Sequence, residues 1–279
     1  MTSTPQHLAM SNGAGLAGWT IINFWSDSEI FFDVFGEEII KVVVKANRTS
    51  AIHYLLNHFQ DSYEEIHNVG GAESKEEFFS YLKRLLIDVD LLPDLQEPDF
   101  HNCKDEDGHY ECECAKRIDE WEEYAKSMAS EIDKIVIHSA FQFVFQDRKF
   151  LHDFNLKLAE FIKEKIDEIK EKYPDNVTAR GRVRRWSFPV WLKKAVFHRD
   201  KGKCVICRCD LTGVITLDST INIDHIVPLS LFGTNDASNM QLLCSDCNAK
   251  KSDRNTDTST THVPFWNIDD NFLKWGNEW

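Results

Sequence analysis

Residues 203–254 read KCVICRCDLTGVITLDSTINIDHIVPLSLFGTNDASNMQLLCSDCNAKKSDR, and their spacing decides the fold of the C-terminal part. The stretch opens on Cys204-x-x-Cys207 and closes on Cys244-x-x-Cys247, with 36 residues between the pairs. Each Cys-x-x-Cys turn is short enough to grip one ion with both sulfurs. Two such turns supply the four thiolates that structural Zn²⁺ takes in a closed tetrahedral site. Between the pairs, Ile221, Ile223, Ile226 and Val227 read as a strand, stopped by Pro228 and the polar run 233–239. Met240 to Leu243 reads as a second short strand and Cys247 to Arg254 as a short helix. The order knuckle, strand, loop, strand, knuckle, helix is a ββα unit pinned by zinc.

Several residues of this stretch occur in a recognisable order: Asp224-His225-Ile226-Val227-Pro228, then Asn239 ahead of Met240, then Asn248 and Lys251. With the lead-in Pro189, Lys193, Phe197, Arg199 and Asp200, they resemble the zinc-stapled HNH endonucleases over roughly the last third of the chain. Asn248 stands where the third signature residue of that family is His. The same variant is similar to the HNH domain of RNA-guided CRISPR nucleases.

The resemblance implies a treble-clef ββα-metal fold with structural zinc on Cys204, Cys207, Cys244 and Cys247. It also implies a divalent ion, Mg²⁺ or Mn²⁺, held by Asp224 and Asn248, with His225 as general base and Asn239 fixing the loop that aims it. The residue chemistry agrees. An imidazole is largely unprotonated near neutral pH, and oxygen donors suit hard cations. Adjacent strand residues point to opposite faces, so Asp224 and His225 share one phosphate only if the strand bends or ends there. The four thiols alone serve equally well in a non-catalytic zinc-stapled module that binds nucleic acid or assembles with proteins. The Asp224–His225 pair, Asn239 and Asn248 favour the endonuclease. Cys209 reads as a spare thiol.

Charge divides the chain. The formal net charge is −14, yet from Arg180 to the C-terminus there are 14 basic and 11 acidic residues, leaving a net of −17 upstream. That asymmetry frees the last third to meet DNA phosphates. Arg180, Arg182, Arg184 and Arg185 read as a flexible arm at the domain boundary. Either they contact phosphate or they pair with the acidic domain. Lys250, Lys251 and Arg254 are further candidate backbone contacts beside the metal. Eight Cys with two knuckles point to reduced thiols and a cytoplasmic protein. No signal peptide or membrane-spanning run is visible.

Upstream, residues 1–18 are expected as a flexible tail, 19–179 as an acidic α-helical domain, and 180–279 as the nuclease domain. Ser74 and Glu77 form a capping box for a helix carrying Phe78, Leu82, Leu85 and Val89. Ile118, Trp121, Ala125, Met128, Ile132 and Ile135 predict one long amphipathic helix. Leu151 to Ile169 predict a second, packed on the first as a hairpin. His101, Cys103, His109, Cys112 and Cys114 fall within fourteen residues and could hold a second metal, but they lack a Cys-x-x-Cys knuckle and acidic residues surround them, so a mobile surface insertion is the expectation. Trp266, Trp275 and Trp279 are expected to pack the C-terminus onto one of the domains. The acidic helical domain is suited to choosing a target or binding other subunits, as in a restriction or anti-phage defence effector.

Overall fold

The computed structural model describes residues 7–104, 108–212 and 222–260. Helices α1 (Met10–Val43), α2 (Ala51–Phe59), α3 (Ser62–Ala72), α4 (Lys75–Asp88), α5 (Glu113–Ser127), α6 (Ala129–Val144) and α7 (Arg148–Lys172) come first. Then α8 (Val190–Arg199) leads to β1 (Asn222–His225), β2 (Met240–Leu243) and α9 (Ser245–Lys251). This is the mainly α chain ending in a small ββα unit that the sequence patterns imply. Trp266, Trp275, Trp279 and Ile221 lie outside the described residues.

Residues 10–18, expected as tail, are the first turns of α1. The glycines mislead because one of them serves packing. A β-carbon on Gly13 would stand 2.6 Å from Ser139 Cβ, so its absence lets α1 approach α6 directly. The Ala9 amide donates to Ser139 Oγ at 2.9 Å, and the Asn12 amide donates to Asp88 Oδ2 at 2.9 Å. These bonds satisfy amides that a helix start leaves without intrahelical partners.

The Ser74 hydroxyl accepts from the Glu77 amide at the head of α4, as its capping box predicts. The single long helix expected over 118–135 is instead two, α5 and α6, joined at Met128 with φ −95° and ψ 1°. No proline or glycine marks the break. The chain turns there because α5 packs on α4 while α6 lies along α1 and α2. The expected hairpin between this stripe and Leu151–Ile169 is therefore not the main packing, since α1 is the principal neighbour of α6. Phe24, Phe31, Trp121 and Phe154 are fully buried at the centre, and one continuous apolar cluster runs from Ala9 to Cys247.

The arginine segment is not a loose arm. Val177 and Val183 bridge as antiparallel partners and both are buried. The Thr178 amide donates to Arg182 O at 2.8 Å and the Arg184 amide to Asn176 O at 2.7 Å. Gly181, at φ +65°, supplies the left-handed turn between them.

Candidate active site

Sulfur geometry organises the site from below. All four Sγ atoms of Cys204, Cys207, Cys244 and Cys247 lie within 4.8 Å of one another, and Cys207 and Cys244 are 3.7 Å apart. A tetrahedral ion with bonds of about 2.3 Å requires S···S edges of about 3.8 Å, so these residues fit zinc. The first knuckle closes through the Arg208 amide on Cys204 O at 2.9 Å, with Arg208 itself at φ 65°. The second opens α9, where the Cys247 amide donates to Cys244 Sγ. The Val205 amide donates to Leu242 O, which ties the first knuckle to β2. Cys209 is exposed beside the cluster and outside it.

Strands β1 and β2 pair antiparallel, with Asp224 opposite Gln241 and His225 opposite Met240. Strand β1 ends at His225, which answers the geometric demand raised by two adjacent polar residues. Asp224, His225, Asn248 and Arg185 all border one cavity of about 470 Å³. Asp224 is buried, and its Oδ2 accepts from Lys251 Nζ at 2.9 Å and from Gln241 Nε2 at 3.2 Å. Both contacts fall on Oδ2. Lys251 also donates to His225 O at 2.8 Å, so one ammonium holds both residues from behind.

His225 is 1% exposed. Its Nε2 lies 3.4 Å from Asn235 Oδ1, its Nδ1 lies 3.5 Å from an Arg185 nitrogen, and the ring packs on Phe188. Burial first, and then the Arg185 charge, push its pKa down to about 4. The ring is neutral at neutral pH.

Asn239 is wholly enclosed. Its Oδ1 accepts from the Val227 amide at 2.8 Å, while its Nδ2 donates to Val227 O at 3.0 Å and Thr234 O at 2.9 Å. One amide therefore staples both ends of the loop that follows His225. Gly233 completes the turn, because a β-carbon there would fall 1.8 Å from Val227 O.

Of the candidate phosphate contacts, Arg180, Arg184, Arg185, Lys250 and Arg254 are exposed. Arg182 is half-buried, stacked over the Phe232 ring at 3.5 Å and donating to Ser230 O. Lys251 does not belong with them. At 2% exposure and paired with Asp224, it faces the interior instead of a phosphate.

No local pattern in the sequence points to Gln241 or Asn235. Gln241 becomes visible only through its register opposite Asp224, and Asn235 only through its reach into the helical part. Asp200 is likewise structural: it accepts from Arg199 Nε and Nη2 at 2.9 Å each and from the Leu242 amide at 2.9 Å.

Among known families, the HNH endonuclease family matches residues 204–254. That span holds both knuckles, β1, β2 and α9. Comparison with curated proteins finds no match, and comparison with solved structures finds none either. Among the described residues, no helix is long and apolar enough to cross a membrane.

Proposed function

We propose that this chain, whose residues 204–254 form an HNH endonuclease segment, is a metal-dependent enzyme that hydrolyses phosphodiester bonds in DNA. The shared cavity carries the reading, since a carboxylate, an imidazole, an amide and a guanidinium border one space. Phosphodiester hydrolysis needs a base for water, positive charge for the transition state, and a rigid frame. His225 is neutral and so free to take a proton from water. A phosphate drawn to Arg185 offsets the charge that now depresses the ring, which raises its proton affinity when substrate is present. Asn239 and Lys251 supply the frame. Asp224 Oδ1 and the Asn248 amide oxygen are the donors for Mg²⁺ or Mn²⁺, hard ions that prefer oxygen. When bound there, such an ion stabilises the charge that builds on the phosphate and its leaving oxygen.

Exposed Arg180, Arg184, Arg185, Lys250 and Arg254 are assigned to the DNA backbone, with Arg182 behind them. The helical part is assigned to target choice or to other subunits of a restriction or anti-phage defence system in the cytoplasm. Support for a protein partner comes from α1, whose Trp19, Ile22, Ile30 and Val34 form an exposed apolar face, with Ile22 75% exposed.

Purified protein should nick plasmid DNA with Mg²⁺ or Mn²⁺, and His225→Ala should abolish nicking with zinc content unchanged. Normal cleavage by that variant would sink the mechanism. Salt-sensitive DNA binding with no cleavage under any divalent ion would point to the zinc-stapled binding module instead.

A further inference from the structure

Far along the chain from β1, the connection between α4 and α5 gathers a second group of soft ligands. The donor atoms of Cys103, His109, Cys112 and Cys114 all lie within 4.8 Å of one another. Cys112 Sγ and His109 Nδ1 are 3.6 Å apart. An edge of about 3.5 Å is what a tetrahedral ion bonded to one sulfur and one imidazole nitrogen requires. The four residues come from three local structures: the end of a single helical turn (Phe100–Asn102), a left-handed corner, and the start of α5. Chance clustering on one helix face does not account for that convergence.

The histidine carries the strongest sign. With Nδ1 turned to the thiols, its Nε2 lies 3.4 Å from Glu76 Oε1 in the first turn of α4. Ligating histidines characteristically give their second nitrogen to a carboxylate, which fixes tautomer and ring orientation. The ring also packs on Phe100 at 5.0 Å and is 9% exposed. Gly108 at φ 95° and His109 at φ 60° bend the chain to deliver it, an arrangement of backbone that a non-glycine residue adopts only at a cost.

We infer that Cys103, His109, Cys112 and Cys114 form a second structural zinc site that locks the α4–α5 connection onto both helices. Three thiolates and one imidazole complete a tetrahedron, which gives the ion a closed structural site with no position for substrate. Mixed sulfur and nitrogen donors favour Zn²⁺ over the hard ions suited to Asp224 and Asn248. The spacing also becomes intelligible: His109-x-x-Cys112 is a knuckle with histidine in the first place, closed by Cys114 from the first turn of α5. The inference is independent of DNA cleavage and stands whether or not His225 is catalytic.

Metal analysis of the purified full chain should give two zinc ions per chain. Cys112→Ser with Cys114→Ser should lower that to one and leave plasmid nicking measurable, whereas Cys244→Ser with Cys247→Ser should remove the other ion. A wild-type value of one zinc, or a double variant at 112 and 114 that keeps two, would overturn the proposal. Should the variants prove insoluble, alkylation of the wild-type protein decides the matter. Mass spectrometry should find rapid labelling confined to Cys209, with the other seven cysteines reacting only after chelation. Labelling of Cys103, Cys112 and Cys114 at the rate of Cys209 before chelation, or a disulfide among them, would refute the site.

Discussion

Lys251 is the side chain whose sequence position and structural duty differ most. Beside Lys250 it reads as half of a basic surface pair, yet it is enclosed against Asp224 Oδ2 at 2.9 Å. Removing one member of an enclosed ion pair strands the other. Lys251→Met is therefore expected to cost about 3–5 kcal/mol in urea unfolding, and adding Asp224→Asn should recover part of the loss. If the single variant loses less than about 1 kcal/mol, the two groups are not coupled. Asn239 makes a comparable case without charge, since truncation frees the amide and carbonyl of Val227 and the carbonyl of Thr234. Asn239→Ala is expected to cost about 2–4 kcal/mol and to lower nicking while zinc stays bound, read by thermal unfolding beside metal analysis.

Local signals made the small elements legible, and their absence hid the larger ones. Thiol spacing, alternating isoleucines and Pro228 depend on neighbours a few residues away, so β1, β2 and α9 fall close to where the sequence put them. The break at Met128 and the helical start at residues 10–18 are set by contacts with distant helices. The same holds around the cavity: motif order points to Asp224, His225, Asn239 and Asn248, and three of these, Asp224, His225 and Asn248, line it, while Gln241 and Asn235 come into view only with the folded register. Gly233→Ala should test the loop after β1, because its β-carbon would collide with Val227 O. The collision should lower the melting temperature and nicking together. At the start of α2, the His53 ring stacks on Phe141 at 4.0 Å and accepts from the Ser50 amide through Nδ1. Burial, assisted by His138, lowers its pKa from 6.5 to about 4. The unfolded chain then takes the proton first as pH falls. Stability is full above pH 6.5 and declines towards pH 4, by about 3 kcal/mol from this group. His53→Gln should flatten that decline in denaturation curves recorded across the interval, and an unchanged slope would exclude His53 as its source.

Across the molecule, a short loop joins the ββα unit to the helices by enclosed polar bonds. The Asn235 amide donates to Val43 O at 2.9 Å, and its side chain donates to Val44 O and Arg184 O. Asp236 Oδ2 accepts from the Ala51 amide at 2.8 Å, and Ser238 meets Asn155 of α7. The sequence boundary at Arg180 thus marks a change of charge and element type without a gap in packing. Asp236→Ala is expected to cost about 2–4 kcal/mol by orphaning two amides, those of Ala51 and Ser238. It should also split a single unfolding transition into two, followed by tryptophan fluorescence and zinc release. Asn235 grips the last carbonyls of a 34-residue rod with its amides and touches the ring of His225 with its oxygen. A molecule that leaned on the far end of that rod would hold a handle tied to that imidazole.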